Sequence, residues 1–304
     1  MAMNLDNSYI GPYLQDWLKY IRESYNAEHQ LISNGNEFCI PYSGVQVEMV
    51  RAIFIISNSF HIEPYAKYLA VHLLDKYMSC LFWELISSCS EVTESTMRQL
   101  YDKMSCQMKL VLASCLQIAS KVDLYKTGLG ISQIQDLLQS IDPERDYSKS
   151  SISSCELRIL KSLDFRLPLC LPIHAVEIFL AFAELSSKHL IRDTCINLLD
   201  IAYLRHEEVF RQLHLMARGC EYDKSKRVCR DFLALEASAP FIGAAVVVCS
   251  NFFFHLKRKV VESLATRLAS LIEMSPIDIN IMANVLFTYA VDEEDFKRLQ
   301  QRQL

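Results

Sequence analysis

The residues best suited to chemistry in this sequence are its histidines, and their spacing matches no catalytic motif. His189, His206, His214 and His255 are scattered, and the triplet 206–208 is interpreted most simply as a polar helix end. The sequence contains no Gly-rich phosphate loop, no G-x-S-x-G and no H-E-x-x-H. We therefore predict a protein that is not an enzyme and that carries no cofactor.

The 11 cysteines indicate core packing in a reducing compartment. Their number is odd, and the absence of a C-x-x-C pair argues against zinc. Cys115 lies in the apolar run LVLASCLQIAS and Cys249 in AAVVVCSNFFF, where free thiols behave as small hydrophobic side chains. The N-terminal residues lack the basic and then apolar pattern of a signal peptide. We expect the cytosol or the nucleus.

Basic residues cluster at Lys224, Lys226, Arg227 and Arg230, with acidic neighbours. The composition fits a solvated loop, and a nuclear-entry or DNA-contacting loop is the alternative. The formal net charge of −5 argues against a broad phosphate-binding surface. We expect no direct nucleic-acid binding.

The elements that position these residues are predicted to be helices throughout. Just over half of the residues are apolar, and glycine and proline number only 7 and 8. That is fewer turn residues than a β-sandwich or a strand–helix fold of this length needs.

The most apolar run, 244–254, is too short to span a bilayer, so we expect a buried helix and no membrane contact. Apolar residues at three- and four-residue steps predict helices at 9–30, 45–60, 64–80, 96–122, 132–140, 148–163, 172–184, 188–204, 207–217, 231–256, 259–271 and 276–290.

Two prolines, Pro168 and Pro172, divide the helices into two halves. Each lacks an amide donor and constrains the residue before it, so no helix continues through them. Trp17 lies on the apolar side of the first helix, which we expect to pack on the first half. The predicted segments are an N-terminal helix and loop at 1–40, a first domain at 41–170, a second at 171–291 with an insertion at about 205–230, and a charged tail at 292–304.

Three stretches of the first half carry a family resemblance in their order and spacing. YLAVHLLDKYMS at 68–79 resembles the second helix of the first cyclin box, and LVLASCLQIASKV at 110–122 resembles its central helix. CELRILKSLDFRLPLCLP at 155–172 resembles the fifth helix and the exit into a second box. The sequence thus resembles the cyclin family. This resemblance implies an all-α fold of two tandem five-helix cyclin boxes with an amphipathic N-terminal helix, and a regulatory subunit that docks onto a cyclin-dependent kinase.

The resemblance also implies a kinase-binding surface. In cyclins, a lysine that ends the central helix and a glutamate in the fifth helix grip the kinase, and the motif matches place them at Lys121 and Glu156. Such a pair can make charge-assisted hydrogen bonds to a partner's backbone. Taken alone, Lys121 is better explained as a cation that balances the helix dipole, and Glu156 as a solvated residue. The surrounding motif matches reverse this preference and favour the kinase-binding interpretation. The apolar part of the implied surface consists of Ile118, Val122, Phe165 and Leu167.

The stretch VQVEMVRA at 45–52 departs from the family pattern. Cell-cycle cyclins carry Met-Arg-Ala-Ile-Leu followed by Asp-Trp here and use it to recruit substrates. Gln46 stands in place of the arginine, Glu48 of an isoleucine, Arg51 of the aspartate and Ala52 of the tryptophan. A charge in the middle of an apolar patch weakens peptide docking, so we do not expect substrate recruitment by this route.

Stretches at 160–172, 195–210 and 231–247 resemble the cyclin N-terminal domain-containing proteins that act in meiotic crossover formation. The resemblance extends over most of 45–290. It implies a nuclear protein at recombination sites on meiotic chromosomes that helps to designate or mature crossovers, with a cyclin-dependent kinase and other pro-crossover proteins. The alternative is a cyclin-fold scaffold that binds other proteins or DNA without activating a kinase, because a fold alone does not fix function.

Overall fold

In the described part of the chain, all regular secondary structure is helical, which confirms the all-α prediction. The computed structural model describes residues 7–33, 45–89, 93–122, 128–167, 170–185, 188–224, 226, 229–254 and 258–291. The helices are α1 Asn7–Ser33, α2 Val47–Ser59, α3 Pro64–Ser87, α4 Glu94–Val122, α5 Ile131–Ile141, α6 Lys149–Ser162, α7 Pro172–Phe182, α8 His189–Leu204, α9 His206–Arg218, α10 Arg230–Glu236, α11 Ala239–Phe253, α12 Arg258–Ile272 and α13 Pro276–Ala290.

The chain divides into two compact units. Helices α2–α6 form the first unit, at residues 37–169, while α1 and α7–α13 belong to the second, at 1–36 and 170–304. Several sequence predictions lie outside the described residues, namely the loop at 34–44, Pro168, Arg227, His255 and the tail at 292–304.

Helix α4 is the centre of the first unit. Every residue from 111 to 120 is buried, and α3, α5 and α6 pack around this stretch. The helix predicted at 96–122 is continuous, because no glycine or proline interrupts it. Cys115 is buried, as predicted, and burial raises the pKa of its thiol well above the usual value. The thiol therefore stays protonated and acts as part of the core.

Helix α11 is the central helix of the second unit, where it packs against α7, α8, α12 and α13. Residues 239–251 are all buried. The single helix predicted at 231–256 is wrong, since α10 ends at Glu236 and α11 begins at Ala239. Ser238 caps α11 by accepting a hydrogen bond from the Phe241 amide at 3.2 Å, and Pro240 lies in the first turn. Both residues are typical helix-start signals. None of the described helices combines the length and hydropathy needed to cross a bilayer.

Helix α1 packs on the second unit, contrary to the prediction that it packs on the first. Its residues Leu14, Leu18 and Ile21 recur at helical spacing and are at most 8% exposed. They belong to a helix that contacts α7, α10 and α11. Trp17 does not share this buried face, since 42% of its surface is exposed. The helix itself was predicted correctly, whereas the placement of Trp17 on its buried side and the predicted packing partner were wrong.

A buried carboxylate on α10 binds the side chains of Tyr222 and Lys224 within the second unit. Glu236 on α10 is fully buried and accepts hydrogen bonds from Tyr222 Oη at 2.6 Å and Lys224 Nζ at 2.5 Å. His206 Nδ1 lies 3.3 Å from the same carboxylate. Burial, together with the neighbouring carboxylate, raises the pKa of Tyr222, so its hydroxyl stays a donor. His206 is therefore a buried partner of Glu236, and the interpretation of 206–208 as a plain polar helix end holds only for the two exposed glutamates.

We expect Glu236→Gln to lower the free energy of unfolding by about 1.5–3 kcal/mol, the range for hydrogen bonds to a charged group. The amide keeps the shape of the side chain but removes the charge that Lys224 pairs with. Urea denaturation followed by circular dichroism measures the loss. Tyr222→Phe is the matched control, because it keeps the charge and the ring packing and removes a single hydrogen bond to the carboxylate, so it should cost about 1.5 kcal/mol, the low end of that range. Equal stability of Glu236→Gln and the unaltered chain would contradict the assigned role.

Candidate functional site

An ion pair joins the central helix of the first unit to α6. Lys121 Nζ lies 2.5 Å from Glu156 Oε1, although the two residues are 35 positions apart in the chain. The lysine side chain is 43% exposed and the glutamate side chain 17% exposed. The structure thus brings together the two charged residues that the family resemblance singled out. An ammonium group has three donors and a carboxylate several acceptor positions, so a partner can bind both groups at this place.

The local sequence of α6 explains where Glu156 lies. Ile152, Cys155 and Ile159 are buried at three- and four-residue spacing and pack toward the core of the unit. Glu156 is four residues after Ile152 and three before Ile159, so it lies along this face, and with 17% of its side chain exposed it is at the edge. Ser148 begins the helix by accepting a hydrogen bond from the Ser151 amide at 3.1 Å, which fixes the first turn. The carboxylate is thereby placed at the border between core and surface.

The four apolar residues of the implied surface differ in exposure. Phe165 is 61% exposed, while Val122 and Leu167 are half-buried. Ile118 is only 3% exposed and belongs to the core. Its side chain therefore offers almost no contact area to a partner. Leu157, which follows Glu156, is 46% exposed and was missed. Its exposure could have been expected, because the buried positions of α6 leave 157 on the other side of the helix.

A strained turn presents the Phe165 ring to solvent. Asp164 and Phe165 both have left-handed backbones, with φ of 49° and 55°. This conformation is uncommon for residues other than glycine, and a bulky residue there is an outlier. The Phe165 amide donates to Leu160 O at 2.8 Å and the Asp164 amide to Lys161 O at 3.1 Å, which hold the turn. Strain of this kind clusters at functional sites, so the turn marks 164–165 as a candidate contact.

Helix α2 carries the stretch that departs from the family pattern. Gln46 precedes the helix and is exposed, as are Glu48 and Arg51 in its first turns. Ile55 is 60% exposed further along the helix. Polar and charged side chains thus reach solvent from the stretch in which cell-cycle cyclins carry their apolar patch. This exposure fits the prediction that the stretch does not recruit substrates in the usual way, which stays a prediction.

The basic cluster of the second unit is partly used within the chain. Lys224 is bonded to the buried Glu236, and Lys226 Nζ lies 3.6 Å from Asp223. Pairing with carboxylates reduces the positive field that a nucleic acid would meet. Across the residues described, no group of three His, Cys, Asp or Glu side chains could hold a metal ion.

Comparisons with known proteins show what this chain is similar to. Residues 43–168 match the model of the cyclin N-terminal domain. A Mus musculus protein named Cyclin N-terminal domain-containing protein 1 is 25% identical over 217 residues, covering 68% of this chain and 64% of that protein. The Homo sapiens protein of the same name is 27% identical over 179 residues, covering 55% of this chain and 53% of that protein. The match therefore spans less than two thirds of either relative's length.

A solved structure shares the fold. The X-ray structure of a viral cyclin from herpesvirus saimiri matches with a TM-score of 0.54, covering 88% of this chain and 97% of that chain. The sequence identity is 12%, so this likeness concerns the fold alone.

Proposed function

We propose that this chain, whose residues 43–168 match the model of the cyclin N-terminal domain, is a regulatory subunit that binds a cyclin-dependent kinase. The ion pair between Lys121 and Glu156 is the observation that carries the proposal. It joins two helices on an accessible surface of the first unit, where the family resemblance puts the kinase contacts. Val122, Phe165 and Leu167 supply the apolar contribution, with Leu157 added from the structure.

The proposed mechanism is a shift in the kinase's conformational equilibrium. A subunit activates a kinase when it binds the active placement of the kinase's regulatory helix more tightly than the inactive one. Lys121 and Glu156 can contribute such selectivity, because hydrogen bonds to backbone groups depend on where that helix lies. The exposed ring of Phe165 adds apolar area that is buried on binding.

The second candidate function is a cyclin-fold scaffold that binds other proteins or DNA without activating a kinase. The exposed Glu48 and Arg51 on α2 favour it, because they replace the apolar recruitment surface of cell-cycle cyclins. Capture of partners on a tagged copy, followed by a histone-kinase assay of the captured material, separates the two functions. Kinase activity in the captured complex supports the regulatory subunit, while a stable complex without a kinase supports the scaffold.

The biological part of the proposal is a nuclear role in meiotic recombination, in which the protein helps to designate or mature crossovers with a kinase and other pro-crossover proteins. The resemblance of the second-half stretches and the two relatives named Cyclin N-terminal domain-containing protein 1 support it. We expect a tagged copy in germ cells to form a few foci per chromosome during meiotic prophase. Fluorescence microscopy of chromosome spreads measures this, and an even cytoplasmic signal would contradict the proposed location.

A further inference from the structure

The C-terminal end of α4 is contacted by Gly128 and Leu129. Ser120 is buried, and its hydroxyl donates to Gln117 O at 2.8 Å while it accepts a hydrogen bond from the Leu129 amide at 2.9 Å. Leu129 is itself buried. The residue before it, Gly128, lies directly on the last turn of the helix. The bond between Ser120 and Leu129 therefore holds Gly128 against Lys121.

The contact between Gly128 and Lys121 leaves no room for a side chain. A methyl group on the Gly128 Cα would lie 2.8 Å from Lys121 Cγ, 2.9 Å from Lys121 Cα and 3.1 Å from Lys121 N. Two of these three atoms are backbone atoms, which cannot move away without shifting the helix end. Gly128 does not have a left-handed φ, so it is required by close approach and not by backbone conformation. Gly130, two residues later, lacks this constraint, since a methyl group there meets only Gln133 Oε1 at 3.6 Å.

We propose that Gly128 and Ser120 are positioning residues for the kinase-binding lysine, and this inference rests on the function proposed above. Gly128 touches both the backbone and the stem of Lys121, so it restricts the direction in which the ammonium group leaves the helix. Glu156 accepts from that ammonium group at 2.5 Å. The segment thus holds Lys121 in place before a partner arrives, and this lowers the entropy that binding has to overcome.

The first test is structural and needs no kinase. Crystal structures of the free Gly128→Ala and Gly130→Ala chains are compared. We expect the Lys121 Nζ–Glu156 Oε1 distance to lengthen beyond ion-pair contact in Gly128→Ala and to stay near 2.5 Å in Gly130→Ala. Should Gly128→Ala fail to fold, Ser120→Ala is the second variant, because it removes the hydrogen bond from the Leu129 amide together with the local bond to Gln117 O and adds no atom at the helix end. An unchanged ion pair in both variants would overturn the inference.

The second test measures binding to the captured cyclin-dependent kinase by titration. We expect Gly128→Ala to weaken binding about tenfold or more, the effect of losing one charge-assisted hydrogen bond. In a Lys121→Met background the same change should have no further effect, because the residue through which it acts is gone. A full tenfold loss in that background would show a general structural effect and contradict the positioning role. If the unaltered chain binds no kinase, the proposed function fails, while the crystallographic comparison still decides the positioning of Lys121.

Discussion

Exchanging the two charges of the ion pair, Lys121→Glu with Glu156→Lys, is expected to abolish kinase binding and to leave the fold intact. The exchanged residues still have opposite charges, so an ion pair between α4 and α6 is kept, with the carboxylate now on α4 and the ammonium group on α6. The kinase, in contrast, meets a carboxylate where it requires an ammonium group and an ammonium group where it requires a carboxylate. Each truncated charge contact at an interface costs about 2–5 kcal/mol, so the double exchange should lower affinity at least about a hundredfold.

The measurement is copurification of the kinase with the tagged chain, together with a thermal melt of each variant. The matched control exchanges Glu94 and Arg98, an exposed ion pair at the other end of the same helix α4. It changes the surface to the same degree and should alter neither binding nor melting temperature, because exposed pairs contribute about 0–1 kcal/mol. Kinase capture by the Lys121/Glu156 exchange at the level of the control would remove the basis for this docking surface.

The fold could be predicted from sequence wherever one local signal decides the structure. Helix α4 could be predicted because its sequence contains no glycine or proline and ends in a long apolar run. This run coincides with the buried stretch 111–120. The split between α10 and α11 was missed because the apolar pattern continues across Ser238 and Pro240. The prediction gave the apolar periodicity more weight than the two helix-start signals, the capping Ser238 and Pro240 in the first turn. In the structure these two residues mark where α11 begins.

Packing partners and side-chain exposure were harder to predict. The stripe of Leu14, Leu18 and Ile21 predicts an amphipathic helix but does not say which half of the chain covers it. Family resemblance located Lys121 and Glu156, and their kinase-binding role stays a prediction. The importance of Gly128 could not be predicted, because it comes from a close approach to Lys121 that the pattern of residues does not determine.

The contact between α7 and α11 in the second unit depends on Gly243. A methyl group on the Gly243 Cα would lie 2.6 Å from Ala175 Cβ, 3.1 Å from Val176 N and 3.2 Å from Pro172 O. Gly243 is in a fully buried stretch of the central helix α11. Glycine is otherwise unfavourable inside a helix, by about 1 kcal/mol relative to alanine. Its presence at this position is explained by the close approach of the two helices, which any side chain would force apart.

We therefore expect Gly243→Ala to destabilise the chain in spite of its better helix propensity, by about 1–3 kcal/mol, and Gly243→Leu to cost more. Urea unfolding followed by circular dichroism measures both. Ala175→Gly provides a compensating change, because it removes the nearest atom, so the double variant Gly243→Ala with Ala175→Gly should be more stable than the sum of the two single effects. Additive effects, or a gain in stability from Gly243→Ala alone, would show that α7 and α11 can separate at little cost, and that this contact does not determine how closely the central helix is packed.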